Sequence, residues 1–229
     1  MSLRRTLVVL RHGRTAWNDT GRAQGHADIE LDDTGHAQAK AAAAALAALG
    51  PSRIWSSDLS RARQTAAALG EVTGLMPEEL PALREYDVGK RTGMTFDDFQ
   101  AAFPDEYAAW LAGDESLTVP GAETTSDVRA RIVPAMRACL DALGAGELGV
   151  VVCHGAALRV GVAGLLGWPD EIEETLAGMD NCHWLRLREH TRFGHLQLAS
   201  YNESYNEFCD ESGVPRAEPR ESPRGGVRP

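Results

Sequence analysis

Cysteine is scarce in this chain and never clustered. Cys139, Cys153, Cys182 and Cys209 stand far apart, with no Cys-x-x-Cys pair. That spacing excludes a disulfide framework and a thiolate zinc site, and the residues read as reduced thiols of a cytoplasmic protein. Long apolar runs are also missing. No stretch approaches the roughly 20 residues of a membrane helix. The N-terminal run Leu7-Val8-Val9-Leu10 is broken by Arg11 and His12, short of the roughly 7–15 apolar residues of a secretory core. Positive charge is in deficit as well: the formal net charge is -10. This argues against nucleic acid, which requires a basic face, and against an anionic membrane surface. A phosphorylated small molecule stays admissible, because a local arginine cluster can oppose the global sign. No metal-binding motif is found.

What is present is enough apolar material for a sizeable core, 43% of 229 residues. The runs Leu7–Leu10 and Val150–Val152 are apolar throughout, as strands of a helix-covered parallel sheet are. Alanine-rich residues 35–49 read as a helix that stops at Gly50-Pro51. Ile54-Trp55-Ser56-Ser57 reads as a strand and residues 59–69 as a helix with Ala62, Ala66 and Leu69 on its core face. The βαβα order predicts an α/β fold, a three-layer αβα sandwich with a mostly parallel sheet.

Residues 13–33 read as a polar loop. Residues 84–123 are less regular and aromatic-rich, with short helices at 96–102 and 106–111 separated by Pro104. They form either a small subdomain with its own apolar cluster or a cap over the pocket, and the two readings are compatible. Thr125 or Ser126 is expected to cap the next helix, which Pro134 should kink. A strand over 150–153, a helix over 156–166 and final strands near 184–187 and 196–201 complete one domain over 1–211. The Pro/Arg-rich stretch 212–229 has the composition of a disordered tail.

Ligands of such sheets bind beyond the carboxyl ends of the strands. Three candidates stand there: Arg11-His12-Gly13, Arg61 in the first turn after Ser56-Ser57, and His154-Gly155. Free N–H groups at helix starts favour anions. Read singly, each residue has an ordinary structural alternative, a packed histidine or a solvated arginine. Together they form an anion site with a potential nucleophile.

The pieces occur in an order that resembles the histidine phosphatase superfamily, the phosphoglycerate mutase-like proteins. Leu10-Arg11-His12-Gly13 with Trp17-Asn18 is similar to the family's RHG signature. Gln24-Gly25 through Asp28 resembles the loop after it. Ser57-x-Leu59-x-Arg61-Ala62 with Thr65, Leu83-Arg84-Glu85 with Gly89 and Gly93, Pro120-Gly121-Ala122-Glu123 and Val152-Cys153-His154-Gly155 resemble the later motifs. The resemblance implies a phosphoglycerate mutase-like fold with a small helical cap. His12 would be the nucleophile, and Glu85 the general acid, over the nearby Glu78, Glu79 and Asp87. Arg11, Arg61 and His154 would hold the phosphoryl oxygens, with Asn18, Gln24, Gly25, Gly155 and, through a contact to an acidic substrate, Arg14 on the substrate side. No cofactor and no metal are implied. The partner would be a small phosphorylated metabolite, and a homodimer is compatible with the reading.

Two departures bear on the activity. Cofactor-dependent mutases of the family carry Glu two residues after the signature His, where this chain has Arg14. They also carry paired arginines in an insertion, and residues 107–115 contain none. Both favour phosphomonoester hydrolysis over mutase chemistry. A non-catalytic phosphate-binding module is the other class to test, although it need not keep both His12 and Glu85. The stretch Gly178-Met179-Asp180-Asn181-Cys182-His183-Trp184 is similar to that of actinobacterial glucosyl-3-phosphoglycerate phosphatases.

Overall fold

A computed structural model describes residues 4–190 and 193–205. Cys209 and the expected tail over 212–229 lie outside the described residues. The elements are β1 (Thr6–Arg11), α1 (Ala16–Asp19), α2 (Asp33–Ala47), β2 (Arg53–Ser56), α3 (Ser60–Thr73), β3 (Glu78–Glu79), α4 (Phe96–Ala102), α5 (Pro104–Leu111), α6 (Thr125–Asp141), β4 (Leu148–Cys153), α7 (Gly155–Leu166), α8 (Asp170–Glu173), β5 (Trp184–Glu189) and β6 (Leu196–Glu203). Two 3-10 turns, Pro81–Leu83 and Gly89–Arg91, lie between β3 and α4.

The strands form one sheet in the order β3-β2-β4-β1-β5-β6. β2 pairs parallel with β3 and β4, and β4 pairs parallel with β1. β5 runs antiparallel to both of its neighbours. The sheet is therefore mostly parallel, as expected.

Its central strands are apolar because both faces are covered. In β1, Leu7 and Val9 join a cluster with Val128, Ile132 and Met136 of α6 and Leu158 of α7. The alternate residues Val8 and Leu10 join Ala39, Ala42 and Leu46 of α2 and Ala62, Ala66 and Leu69 of α3. Side chains alternate along a strand, so one apolar run feeds two cores. This is the αβα sandwich, with no helix among the described residues long and apolar enough to cross a membrane.

Several local expectations need correction. The 13–33 stretch contains α1, a single turn capped by Thr15, whose hydroxyl accepts from Asn18 N while Asn18 reaches back. α2 begins at Asp33 because Asp32 accepts from Gly35 N. α5 begins at Pro104, so this proline opens the helix as an N1 residue. The cap of α6 is Thr124, in a capping box with Asp127, and neither Thr125 nor Ser126. Pro134 lies inside α6, where the sequence placed it.

Candidate active site

The parallel register builds the site. Arg11 stands opposite Cys153, so the next residues, His12 and His154, are neighbours where β1 and β4 end. His12 N donates to Cys153 O at 3.0 Å, and the two imidazole rings lie 5.2 Å apart, tilted by 56°. β2 lies on the other side of β4 and leads into α3, whose second residue is Arg61. The strand order β2-β4-β1 thus delivers Arg61, His154 and His12 to one rim. All three are buried.

The hydrogen bonds assign the ring nitrogens. His12 Nδ1 lies 2.7 Å from Gly13 O. A carbonyl only accepts, so Nδ1 carries the proton and Nε2 keeps its lone pair. Burial, then the charges of Arg61 and Arg11, hold the His12 pKa well below its ordinary 6.5. His12 is thereby a neutral imidazole. Arg61 Nε donates to His154 Nδ1 at 3.2 Å, which puts the His154 proton on Nε2. That Nε2 is buried and has no partner among the described residues.

Arg61 is held by three acceptors: Nη1 donates to Ala27 O and Nη2 to Gly25 O, both at 2.8 Å. Burial lowers its pKa to about 10, still well above neutrality. Gly25 has φ +51, a backbone conformation open to glycine, and a Cβ there would meet Val88 Cγ2 at 2.7 Å. Arg11 donates through Nη1 to Met179 O, while its Nε is buried without a partner among the described residues. A Cβ on Gly155 would stand 3.2 Å from that Nε, so glycine keeps Arg11 aimed into the site.

Asn18 Oδ1 is occupied by Thr15 N and Thr15 Oγ1, and its amide nitrogen remains as a donor. Gln24 is buried, and its Oε1 also lacks a partner. Glu85 reaches the same rim from the loop after Leu83. Its Oε1 accepts from Ala157 N at 2.8 Å and Tyr86 N at 3.0 Å, and its Oε2 from Ala156 N at 3.0 Å. It thereby caps α7, whose N-cap His154 gives no side-chain cap.

Arg11, His12, Asn18, Gln24, Gly25, Arg61, Glu85 and Gly155 line one cavity of about 840 Å³. Arg14 does not. Its guanidinium binds Asp32 Oδ2 at 2.9 Å, Asp19 Oδ1 at 2.8 Å and Thr34 Oγ1 at 2.9 Å. The expected substrate contact of Arg14 is therefore replaced by an ion-paired link between α1 and α2.

Further residues support the site, and of these Arg131 was not singled out in the sequence. Arg131 Nη1 donates to Ala82 O and Arg84 O, its Nη2 to Glu85 O, and Glu123 binds its fork. His26 Nε2 lies 2.8 Å from Glu85 O. Asn181 Nδ2 donates to His12 O at 3.0 Å, and Cys182 N reaches Arg11 O at 3.1 Å with φ 56. Met179 and Asn181 thus give the 178–184 stretch a role in shaping the rim. The signal for Arg131 was weak, one arginine on a helix with several. In the same stretch His183 Nδ1 lies 3.1 Å from Asn202 O. In the aromatic segment, Phe99 packs edge-on against Tyr107 at 5.3 Å, while Phe99 and Trp110 line the cavity. Residues of this segment thus pack against one another and also line the cavity.

Known proteins share this architecture. A glucosyl-3-phosphoglycerate phosphatase of Mycolicibacterium vanbaalenii is 40% identical over 195 residues, 82% of this chain and 86% of that protein. A probable phosphoglycerate mutase of Yersinia pestis is 32% identical over 181 residues, 79% and 83% of the two chains. The solved structure of a mycobacterial glucosyl-3-phosphoglycerate phosphatase complexed with VO3 has TM-score 0.79 at 36% identity, covering 87% of this chain and 100% of that one. The family model of the histidine phosphatase superfamily (branch 1) matches residues 7–203, and the chain belongs to that superfamily.

Proposed function

We propose that this chain hydrolyses phosphate monoesters of small metabolites through a phosphohistidine at His12, without a metal. The observation that carries the reading is the neutral, Nδ1-protonated His12 beside two buried donors without partners, Arg11 Nε and His154 Nε2. Unsatisfied buried donors are costly unless a ligand pairs them, and donors converging beside a nucleophile suit a phosphoryl group.

His12 Nε2 attacks phosphorus and the ester P–O bond breaks. The leaving alkoxide takes a proton from the Glu85 carboxyl. Water then attacks the phosphohistidine and gives its proton to Glu85, releasing inorganic phosphate and neutral His12. Arg11, Arg61, His154 Nε2 and the Asn18 amide hold the equatorial oxygens throughout. The named activity of the relatives makes a phosphoglycerate derivative the substrate class we propose, with glucosyl-3-phosphoglycerate the first compound to try. We assign the protein to the cytoplasm. Cys139, Cys153 and Cys182 are buried and unpaired, as a reducing compartment allows.

The test is turnover of p-nitrophenyl phosphate in EDTA, with acid-quench trapping of the phosphoenzyme. Wild type should turn over and trap label, and His12→Ala should do neither. An inert wild type with no trapped label would favour a binding module. Interconversion of 2- and 3-phosphoglycerate would favour a mutase.

A further inference from the structure

The cavity lining includes a further arginine, Arg91. Arg91 ends the 3-10 turn Gly89–Arg91, and its guanidinium carbon lies 5.2 Å from the Phe96 ring centre, 4.6 Å from that of Phe99 and 5.1 Å from that of Trp110. It lines the same cavity as His12. Its Nε is buried without a partner, and its side chain makes no hydrogen bond or ion pair among the described residues. The other arginines of the cavity each donate to at least one backbone carbonyl: Arg11 to Met179 O, Arg22 to Gly93 O, Arg61 to Gly25 O and Ala27 O, and Arg159 to Leu176 O. Carboxylates line the cavity too, among them Glu106, Asp114 and Glu174, yet none closes on Arg91.

A guanidinium binds through its edge and packs through its faces. Three rings around Arg91 support the faces and leave the edge for a planar acceptor. A guanidinium edge left without a hydrogen-bond partner among the described residues matches the planar fork of a carboxylate. We infer that Arg91 is a specificity residue that binds the carboxylate of the substrate, so the preferred esters carry a carboxylate as well as the phosphate. The inference rests on the phosphoester reading above. It adds a recognition point that the sequence motifs do not contain.

The test compares two esters that differ at one carbon, 3-phosphoglycerate and glycerol 3-phosphate, on the full chain. The ratio of their kcat/KM values is measured in wild type, Arg91→Met and Arg91→Lys. A ratio is independent of the fraction of enzyme folded. Wild type should favour 3-phosphoglycerate at least tenfold. Arg91→Met should lower the ratio at least tenfold, chiefly through KM of the carboxylate ester, and Arg91→Lys should fall between. An unchanged ratio in Arg91→Met overturns the assignment. If wild type hydrolyses neither ester, the phosphatase reading fails by itself. Calorimetric Kd values of the same two compounds then decide: an Arg91-dependent ratio supports the subsite, and an Arg91-independent one overturns it.

Discussion

Arg61 Nε donates to His154 Nδ1 across 3.2 Å at the buried floor of the site. One bond joins the helix after β2 to the end of β4. It helps fix the arginine's fork and, at the same time, leaves the histidine's remaining proton on Nε2. In the proposed mechanism this charged side chain acts on the substrate directly and through its neighbour's tautomer.

Arg61→Lys keeps the charge but removes the fork that spans His154, Gly25 O and Ala27 O. The loss of one aimed donor costs about 10²–10³ in kcat, and here His154 loses its orientation as well. Steady-state kinetics on p-nitrophenyl phosphate should show at least the lower figure. A loss below threefold would contradict the role.

Arg131 is a positioning residue. It holds the carbonyls of Ala82, Arg84 and Glu85, and with them the loop that presents the Glu85 carboxyl. Arg131→Met should lower kcat more than KM, alter the pH profile of kcat, and destabilise the fold by about 1–3 kcal/mol through unpaired acceptors. Arg131→Lys should restore part of kcat. A stability loss with an unaltered pH profile would mean a structural role only.

Arg14→Ala should leave kcat/KM within twofold. Its partners are Asp19 and Asp32 in a partly exposed network, whose loss costs roughly 1 kcal/mol or less. A tenfold rise in KM would return Arg14 to the substrate side.

Stability should fall on mild acidification. Burial, then Arg61, push the pKa of both His12 and His154 well below 6.5. Above that value neither the folded nor the unfolded histidines bind protons. As pH drops below it, the unfolded chain takes up protons that the folded chain refuses. Each histidine then removes up to about 1.4 kcal/mol per pH unit, until its folded pKa is reached. Denaturant unfolding at pH 7.5, 6.5 and 5.5 should show this loss, and a shallower one for His154→Gln. Parallel curves for the two proteins would count against buried neutral histidines. For the same reason His12 should remain a competent nucleophile at pH 5.5.

Much of the fold was legible because its signals are local. Continuous apolar runs marked β1 and β4, and Gly50-Pro51 marked the end of the alanine-rich helix. α1 and the true cap at Thr124 were missed, because one turn of helix and a choice among adjacent hydroxyls carry little periodicity. The candidate site was legible as residues at strand ends. Arg14 was misplaced because adjacency to His12 in sequence does not set where a long side chain points. Three acceptors, Asp19, Asp32 and Thr34, set that from other segments.

The sequence by itself determined the architecture and the candidate residues of its rim, since apolar patterning selects a covered parallel sheet and such a sheet puts its carboxyl ends on one rim. Only the tertiary structure decided which nitrogen of His12 is free, what bonds His154, what holds Glu85 in place, and that Arg91 lines the cavity among three aromatic rings with no hydrogen-bond partner among the described residues. These depend on hydrogen bonds, ring contacts and burial between segments far apart in the chain, where the order of residues carries no distance information.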